Sequence, residues 1–223
     1  MRRITSIDLS RAECLRRALE YDRLANYNET DVGVAFNFDQ ARLWRSLALV
    51  AHPEAKPEAW YSVGAIAVRQ ESYRLAVDAY TEAIALTPMK PDLYLRRGHA
   101  YTALGRQQIE ISQGDREGKS ATPPGGRPDS QSGYYAHAIS DLSQAIHLDL
   151  KSAIGYSSRG VVYAAMGDQS RAVTDYTKAI DLDPSYAEAY ENRSRSYYRS
   201  GDKEKGAADS AKAVSLRIAR PVA

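Results

Sequence analysis

The stretch AIGYSSRGVVYAAMGDQSRAVTDYTKAIDLDP, residues 153–184, decides the fold of this chain. Its apolar residues recur at intervals of three and four in two successive runs, which is the pattern of two amphipathic helices. Between the runs, Gly167 suits the left-handed conformation that ends a helix, and Asp168 can cap the next one. Pro184 follows the second run and stops it. The stretch therefore predicts two helices joined by a tight turn.

The same pattern returns along the chain at fixed spacings. Tyr156 and Tyr190 are 34 residues apart, whereas Tyr94 and Tyr156 are 62 apart. Because 62 exceeds 34 by 28, one unit carries an insertion of 28 residues, and the register of the flanking residues places it at 106–133. A single helix pair cannot bury enough apolar surface alone, so repeated pairs of this kind are expected to stack on one another.

These spaced residues resemble the tetratricopeptide repeat (TPR) family. The motif residues within 153–184 are Tyr156, Gly160, Tyr163, Ala172, Tyr176, Ala179 and Pro184. The resemblance covers residues 57–216 apart from the insertion. It implies an all-α fold, a right-handed α-solenoid of stacked antiparallel helix pairs, with a disordered insertion inside one repeat. Only the first residues of the insertion are expected to prolong the preceding helix.

The resemblance also implies how the chain is divided. We expect N-terminal helices that are either a degenerate repeat or a cap, four repeats of which the last is degenerate, and a short tail. The corresponding ranges are 1–56 for the N-terminal helices, 57–90, 91–152 (interrupted by 106–133), 153–186 and 187–216 for the repeats, and 217–223 for the tail.

Tyrosine is unusually frequent, with 16 Tyr against 2 Phe. Six of these tyrosines recur on the first helix of the expected pairs and could be read as a ladder that stacks on bases or sugars. Their helical spacing favours packing within the protein instead. The six residues are Tyr94, Tyr101, Tyr156, Tyr163, Tyr190 and Tyr197.

The insertion contains Gly118-Lys119-Ser120, which resembles the end of a phosphate-binding loop. Such a loop needs a further Gly five residues before Gly118, so that backbone N–H groups can surround the phosphates, and the residue there is Gln113. A strand should precede the loop, and the preceding segment has a helical pattern. We therefore predict no nucleotide site.

No other constellation of chemistry-bearing residues is evident. The four histidines are scattered without metal-ligand spacing, Cys14 is expected to pack as a small hydrophobe, and no serine lies in a nucleophile-elbow context. We therefore expect no catalytic residue, no metal and no cofactor.

Composition argues against a nucleic-acid partner and against a segment that spans a membrane. Lys and Arg total 30 against 28 acidic residues, which does not favour nucleic acid as a partner. No run of about 18 apolar residues could span a bilayer, and the N-terminus lacks the apolar region of a secretory signal. The expected location is the cytoplasm.

In the family that the sequence resembles, the first helices of the repeats line a concave groove that binds partners. The groove residues expected here are Tyr61, Arg69, Leu95, Arg96, His99, Ser157, Glu191, Asn192 and Arg195. Some members clamp a chaperone's terminal carboxylate with Lys, Asn and Arg. The corresponding positions are Tyr61, Ala65, Arg96, Ile154 and Ser158, none of which matches, so chaperone-tail binding is not expected.

Two functions remain from this reading. The first is a non-catalytic scaffold or adaptor that binds a peptide or helix of a protein partner in the groove. The alternative is a structural assembly protein that self-associates into a homo-oligomer, because little sequence follows Leu216 to cover the apolar face of the last repeat. An enzymatic role survives only if the chain is one part of a larger enzyme.

Overall fold

The computed structural model describes residues 57–116 and 129–218, and all regular structure in these ranges is helical. The N-terminal segment 1–56, the Gly118-Lys119-Ser120 stretch and the tail beyond residue 218 lie outside the described residues. Within the described ranges there are eight helices, which are α1 Pro57–Arg69, α2 Tyr73–Leu86, α3 Pro91–Arg116, α4 Asp129–Leu148, α5 Ala153–Ala165, α6 Gln169–Leu182, α7 Ala187–Arg199 and α8 Lys203–Ile218.

The chain divides into two compact units, Met1–Leu93 and Tyr94–Ala223. In the first unit α1 packs on α2. A Cβ placed on Gly64 would lie 2.6 Å from a ring carbon of Tyr80, so the absence of a side chain lets the two helices approach closely. The ring of Tyr61 meets the ring of Tyr80 edge to face, with centroids 6.3 Å apart.

The second unit is a stack of helix pairs. α5 packs on α6 and α7 on α8, while α4 and α6 each pack against the first helix of the following pair. The core continues from pair to pair. Val162 of α5 joins Tyr135 and Leu142 of α4 in one buried cluster, and Ala189 of α7 joins Ile180 of α6 in the next. The second helices α4 and α6 are therefore each covered by the helix that follows.

The turn from α5 to α6 has the predicted chemistry. Gly167 has φ +86°, and the side chain of Asp168 accepts a hydrogen bond from the backbone N–H of Arg171 at 2.9 Å. The turn from α7 to α8 repeats it, with Gly201 at φ +89° and Asp202 accepting from the backbone N–H of Lys205 at 3.1 Å. The turn predicted at Gly167 and Asp168 is confirmed.

The helices extend into the insertion from both sides. α3 runs through Gly105 to Arg116 instead of ending near Gly105, and α4 begins at Asp129. The residue after Gly105 is Arg106, which lacks the capping carboxylate that Asp168 and Asp202 provide, so nothing at this position starts a new helix. The expected helical extension at the start of the insertion is confirmed, and the helices reach further than predicted.

A ladder of buried ion pairs, which the sequence reading missed, joins the helices of the second unit. Arg159 of α5 donates two hydrogen bonds to the carboxylate of Asp175 on α6, both at 2.8 Å, and a third at 3.1 Å to the hydroxyl of Ser143 on α4. The hydrogen bonds to Asp175 hold the pKa of Arg159 above its usual value. One guanidinium thus ties together three helices.

The ladder recurs in each pair of the second unit. Arg97 of α3 holds Asp141 of α4 through two hydrogen bonds of 2.8 and 2.7 Å, and Arg193 of α7 holds Asp209 of α8 in the same way. Each guanidinium also lies 5.6 to 5.8 Å from the ring centroid of the tyrosine three residues earlier. The first-helix tyrosines Tyr94, Tyr156 and Tyr190 therefore pack against the ladder.

The first unit deviates from the repeat at one backbone position. Glu71 occupies the register position of Gly167 and Gly201 and has φ 56°, a conformation that costs a side-chain-bearing residue about 1–2 kcal/mol.

We expect Glu71→Gly to raise the free energy of unfolding by roughly 0.5–1 kcal/mol, after allowance for the greater flexibility of glycine in the unfolded chain. Urea unfolding followed by circular dichroism measures the change. Gly167→Ala is the matched opposite and should destabilise, whereas a loss of stability in Glu71→Gly would contradict the strain.

Candidate functional site

The first helices of the second unit present one row of residues each that faces away from the second helices. Residues three and four apart on a helix share a face. We call the combined surface the first-helix face, and it consists of Arg96, His99, Ala103 and Arg106 on α3, Ile154, Ser158, Val161 and Ala165 on α5, and Glu188, Asn192, Arg195 and Arg199 on α7.

Direct contacts show that the three rows form one surface. His99 on α3 and Ser158 on α5 are hydrogen-bonded, with Nε2 and Oγ 2.7 Å apart. α5 also contacts α7, so it lies between the other two first helices. The residues of α5 therefore form the floor of the face, and those of α3 and α7 form its two sides.

Three of the predicted groove residues occupy one equivalent repeat position and point elsewhere. Leu95 packs against the buried cluster around Leu142. Ser157 is 2% exposed and its hydroxyl is hydrogen-bonded to that of Tyr186. Glu191 accepts a hydrogen bond from Arg217 of α8 at 2.8 Å. This position therefore contacts other helices of the stack, which are α4 at Leu95, the N-cap of α7 at Ser157 and the last turn of α8 at Glu191.

The remaining predicted residues are divided between the units. Tyr61 and Arg69 belong to α1 in the first unit. Arg96, His99 and Arg195 lie on the first-helix face as expected from their spacing. The last of the set, Asn192, has only 9% of its surface exposed; its side-chain oxygen accepts a hydrogen bond from Arg195 at 2.9 Å.

Two arginines that the sequence reading did not select complete the site. Arg106 and Arg199 are exposed, like Arg195, and none of the three forms an ion pair with any described residue. Arg106 was assigned to the insertion, but the continuation of α3 places it on the first-helix face. The signal that could have found it is the helical spacing from His99 through Ala103.

The three arginines converge although they come from two helices. Burial raises the pKa of the Tyr176 hydroxyl well above its usual value, and the charges of Arg195, Arg106 and Arg199 each act in the opposite direction. Tyr176 lies on α6, behind the floor helix α5. Arg106 on one side of the face and Arg195 and Arg199 on the other therefore act on the same hydroxyl group. We call these three residues the arginine cluster.

The floor between the arginines is small and uncharged. Ser158, Val161 and Ala165 carry no charge, and Ile154 at the start of the row is 52% exposed. The floor thus runs from an exposed apolar side chain to a stretch flanked by cations. An arrangement of this kind can hold an apolar side chain and several anionic groups.

Neither a metal-binding cluster nor a membrane-spanning helix is found among the described residues. No group of three or more His, Cys, Asp or Glu side chains there is placed to hold a metal ion. No helix in the same part of the chain is long and apolar enough to cross a membrane.

The model of the TPR repeat family matches residues 64–105 and 162–201. No curated protein sequence matches the chain. Among solved structures, a crystal structure of MamA is 19% identical with a TM-score of 0.62 and covers 86% of this chain and 97% of its own. The thermophilic TPR protein TTC0263 of Thermus thermophilus is 22% identical with a TM-score of 0.61, covering 94% and 96%.

At these identities the structural likeness concerns the fold alone. It agrees with the helix pairs and their stacking, and the predicted α-solenoid class is confirmed. The family model matches two of the repeats that the residue spacing located. The chain contains tetratricopeptide repeats.

Proposed function

We propose that this protein is a non-catalytic scaffold that binds a segment of a protein partner on the first-helix face. The observation that carries the proposal is the face itself, which joins three helices through the His99–Ser158 contact and the packing of α5 on α7, and which has an uncharged floor. Packed helices lie about 8–10 Å apart, so the span from α3 to α7 suits one helix or one extended segment. The proposal places the protein in the cytoplasm, with no cofactor.

A bulky residue at the centre of the floor tests this function. We expect Ser158→Trp to abolish co-precipitation of a partner that the unaltered chain retains from its native extract, because the indole would fill the space of the ligand. The matched control replaces Lys178 with Trp, an exposed residue on the second helix α6. Binding that survives in Ser158→Trp, with helicity unchanged by circular dichroism, would contradict the assignment of the face.

A second candidate function is self-association through α8. Val214 is 54% exposed, whereas the equivalent Ile180 is 8% exposed because α7 covers it. Ile218 is also exposed, and no described helix lies over either residue. An apolar surface of this kind favours association with another chain.

Sedimentation velocity over a hundredfold range of concentration tests the second candidate. We expect the mass to rise above that of one chain at high concentration and to fall back in Val214→Glu, because a buried, unpaired carboxylate would oppose the interface. Met89→Glu replaces another exposed apolar residue and should leave the association unchanged. A single-chain mass at every concentration would exclude the candidate.

A further inference from the structure

The charge of the first-helix face is segregated along the helices. Glu188 begins the row on α7, and Arg195 and Arg199 end it. The dipole of α7 favours a cation in its last turn, which gives Arg199 a stabilising role within its own helix. It does not account for Arg106, which lies in the interior of α3, well before its end at Arg116.

Three other arginines of the second unit form ion pairs inside the protein. Arg97, Arg159 and Arg193 each hold a carboxylate through two hydrogen bonds. The arginine cluster, by contrast, makes one hydrogen bond in total to a described residue, from Arg195 to the amide oxygen of Asn192. The amide nitrogen of Asn192 has no hydrogen-bond partner among the described residues. Three exposed guanidinium groups, each able to bind a carboxylate by two hydrogen bonds, therefore lie on one surface without an ion pair to any described residue.

We propose that the first-helix face selects an acidic protein segment, with carboxylates bound by Arg106, Arg195 and Arg199 and an apolar side chain seated on Ile154 and Val161. This inference rests on the proposed scaffold function and specifies the chemistry of its partner. The polarity follows from the floor, whose exposed isoleucine lies at the start of α5, while the cations lie in the second halves of α3 and α7. The near-neutral net charge of the chain, +2, favours a short acidic segment over a nucleic acid, whose binding needs an extended basic surface.

The test uses a defined probe and the full chain. The probe is a fluorescein-labelled 12-residue peptide of alternating Glu and Leu, and its counterpart carries Gln in place of every Glu. Fluorescence anisotropy at low ionic strength should show at least tenfold tighter binding of the Glu peptide, and this preference should shrink as salt rises, since exposed charges are screened. Arg195→Glu with Arg199→Glu should lower the affinity for the Glu peptide at least tenfold and leave that for the Gln peptide within about twofold.

A charge-matched variant controls for net charge. Lys178→Glu with Lys212→Glu makes the same charge change at exposed positions on the second helices α6 and α8, and it should bind the Glu peptide nearly as well as the unaltered chain. Equal loss in this control, equal binding of the two peptides, or no binding of the Glu peptide would each overturn the inference. So would tighter binding of a labelled single-stranded oligonucleotide that the arginine variant abolishes.

The outcomes separate the inference from the scaffold function. If the Glu peptide fails while Ser158→Trp still abolishes capture of the native partner, the face binds protein and only its acidic preference is wrong. If Ser158→Trp leaves capture intact, the face is not the binding surface and the scaffold assignment itself fails, whatever the peptide does.

Discussion

Arg159→Val should lower the free energy of unfolding by about 3 kcal/mol, which is a large share of what holds a domain together. The substitution removes two hydrogen bonds to Asp175 and one to Ser143. It leaves the carboxylate of Asp175, whose side chain is only 7% exposed, without its cation. The cost falls at the lower end of the range for buried pairs because Arg159 itself is 21% exposed.

The first unit shows which uncharged residues can take the place of this ion pair. Val63 and Ala79 in the first unit occupy the register positions of Arg159 and Asp175, and both are fully buried. We therefore expect Arg159→Val with Asp175→Ala to be more stable than Arg159→Val alone, since the second substitution removes the stranded charge. Urea unfolding of both single variants and the double variant gives the coupling energy, expected to be at least about 1 kcal/mol.

An exposed ion pair provides the control for the ladder. Glu191 and Arg217 are 29% and 61% exposed, and Arg217→Ala should change the free energy of unfolding by less than about 1 kcal/mol. If the double variant loses as much stability as the two single variants together, Arg159 and Asp175 act independently and the ladder is not a coupled structural element.

The ladder is the part of the fold that the sequence pattern did not predict. Periodic tyrosines, glycines and alanines revealed the helix pairs because packing needs a residue of a given size at every repeat, and that need leaves a visible period. The spacings of 62 and 34 also relate Arg97 to Arg159 and Arg159 to Arg193. Charged residues at helical spacing are usually solvated, however, so only the packing of one helix on the next shows that these cations are buried against carboxylates.

The first-helix face was predicted in part for the same reason. Helical spacing assigns Arg96, His99 and Arg195 to this face, and their part in binding a partner stays a prediction. The sequence could not show that Tyr186 covers Ser157, because that contact depends on how the turn before α7 folds back. Arg106 was missed because Gly105 reads as a helix end, and the missing capping carboxylate after it decides instead that α3 continues.

Gly160→Ala should destabilise the protein by about 1–3 kcal/mol, although alanine is the better helix former. A Cβ at position 160 would lie 2.8 Å from Cε1 of Tyr176, closer than carbon atoms can approach. Tyr176 is fully buried on α6 and cannot move aside without displacing its neighbours, so α5 and α6 must separate. Urea unfolding monitored by circular dichroism would show a lower midpoint at unchanged slope.

Gly133→Ala is the matched control, because the same atom is added within a helix in both variants. No atom of the described residues lies within 4 Å of a Cβ at Gly133 in α4, so the substitution should stabilise by about 0.5–1 kcal/mol through helix propensity alone. Opposite signs at the two positions are therefore expected. If Gly160→Ala stabilised the chain as Gly133→Ala does, the close approach of α5 and α6 at Gly160 would not contribute to the stability of the stack, and the repeated small residue would need another reason.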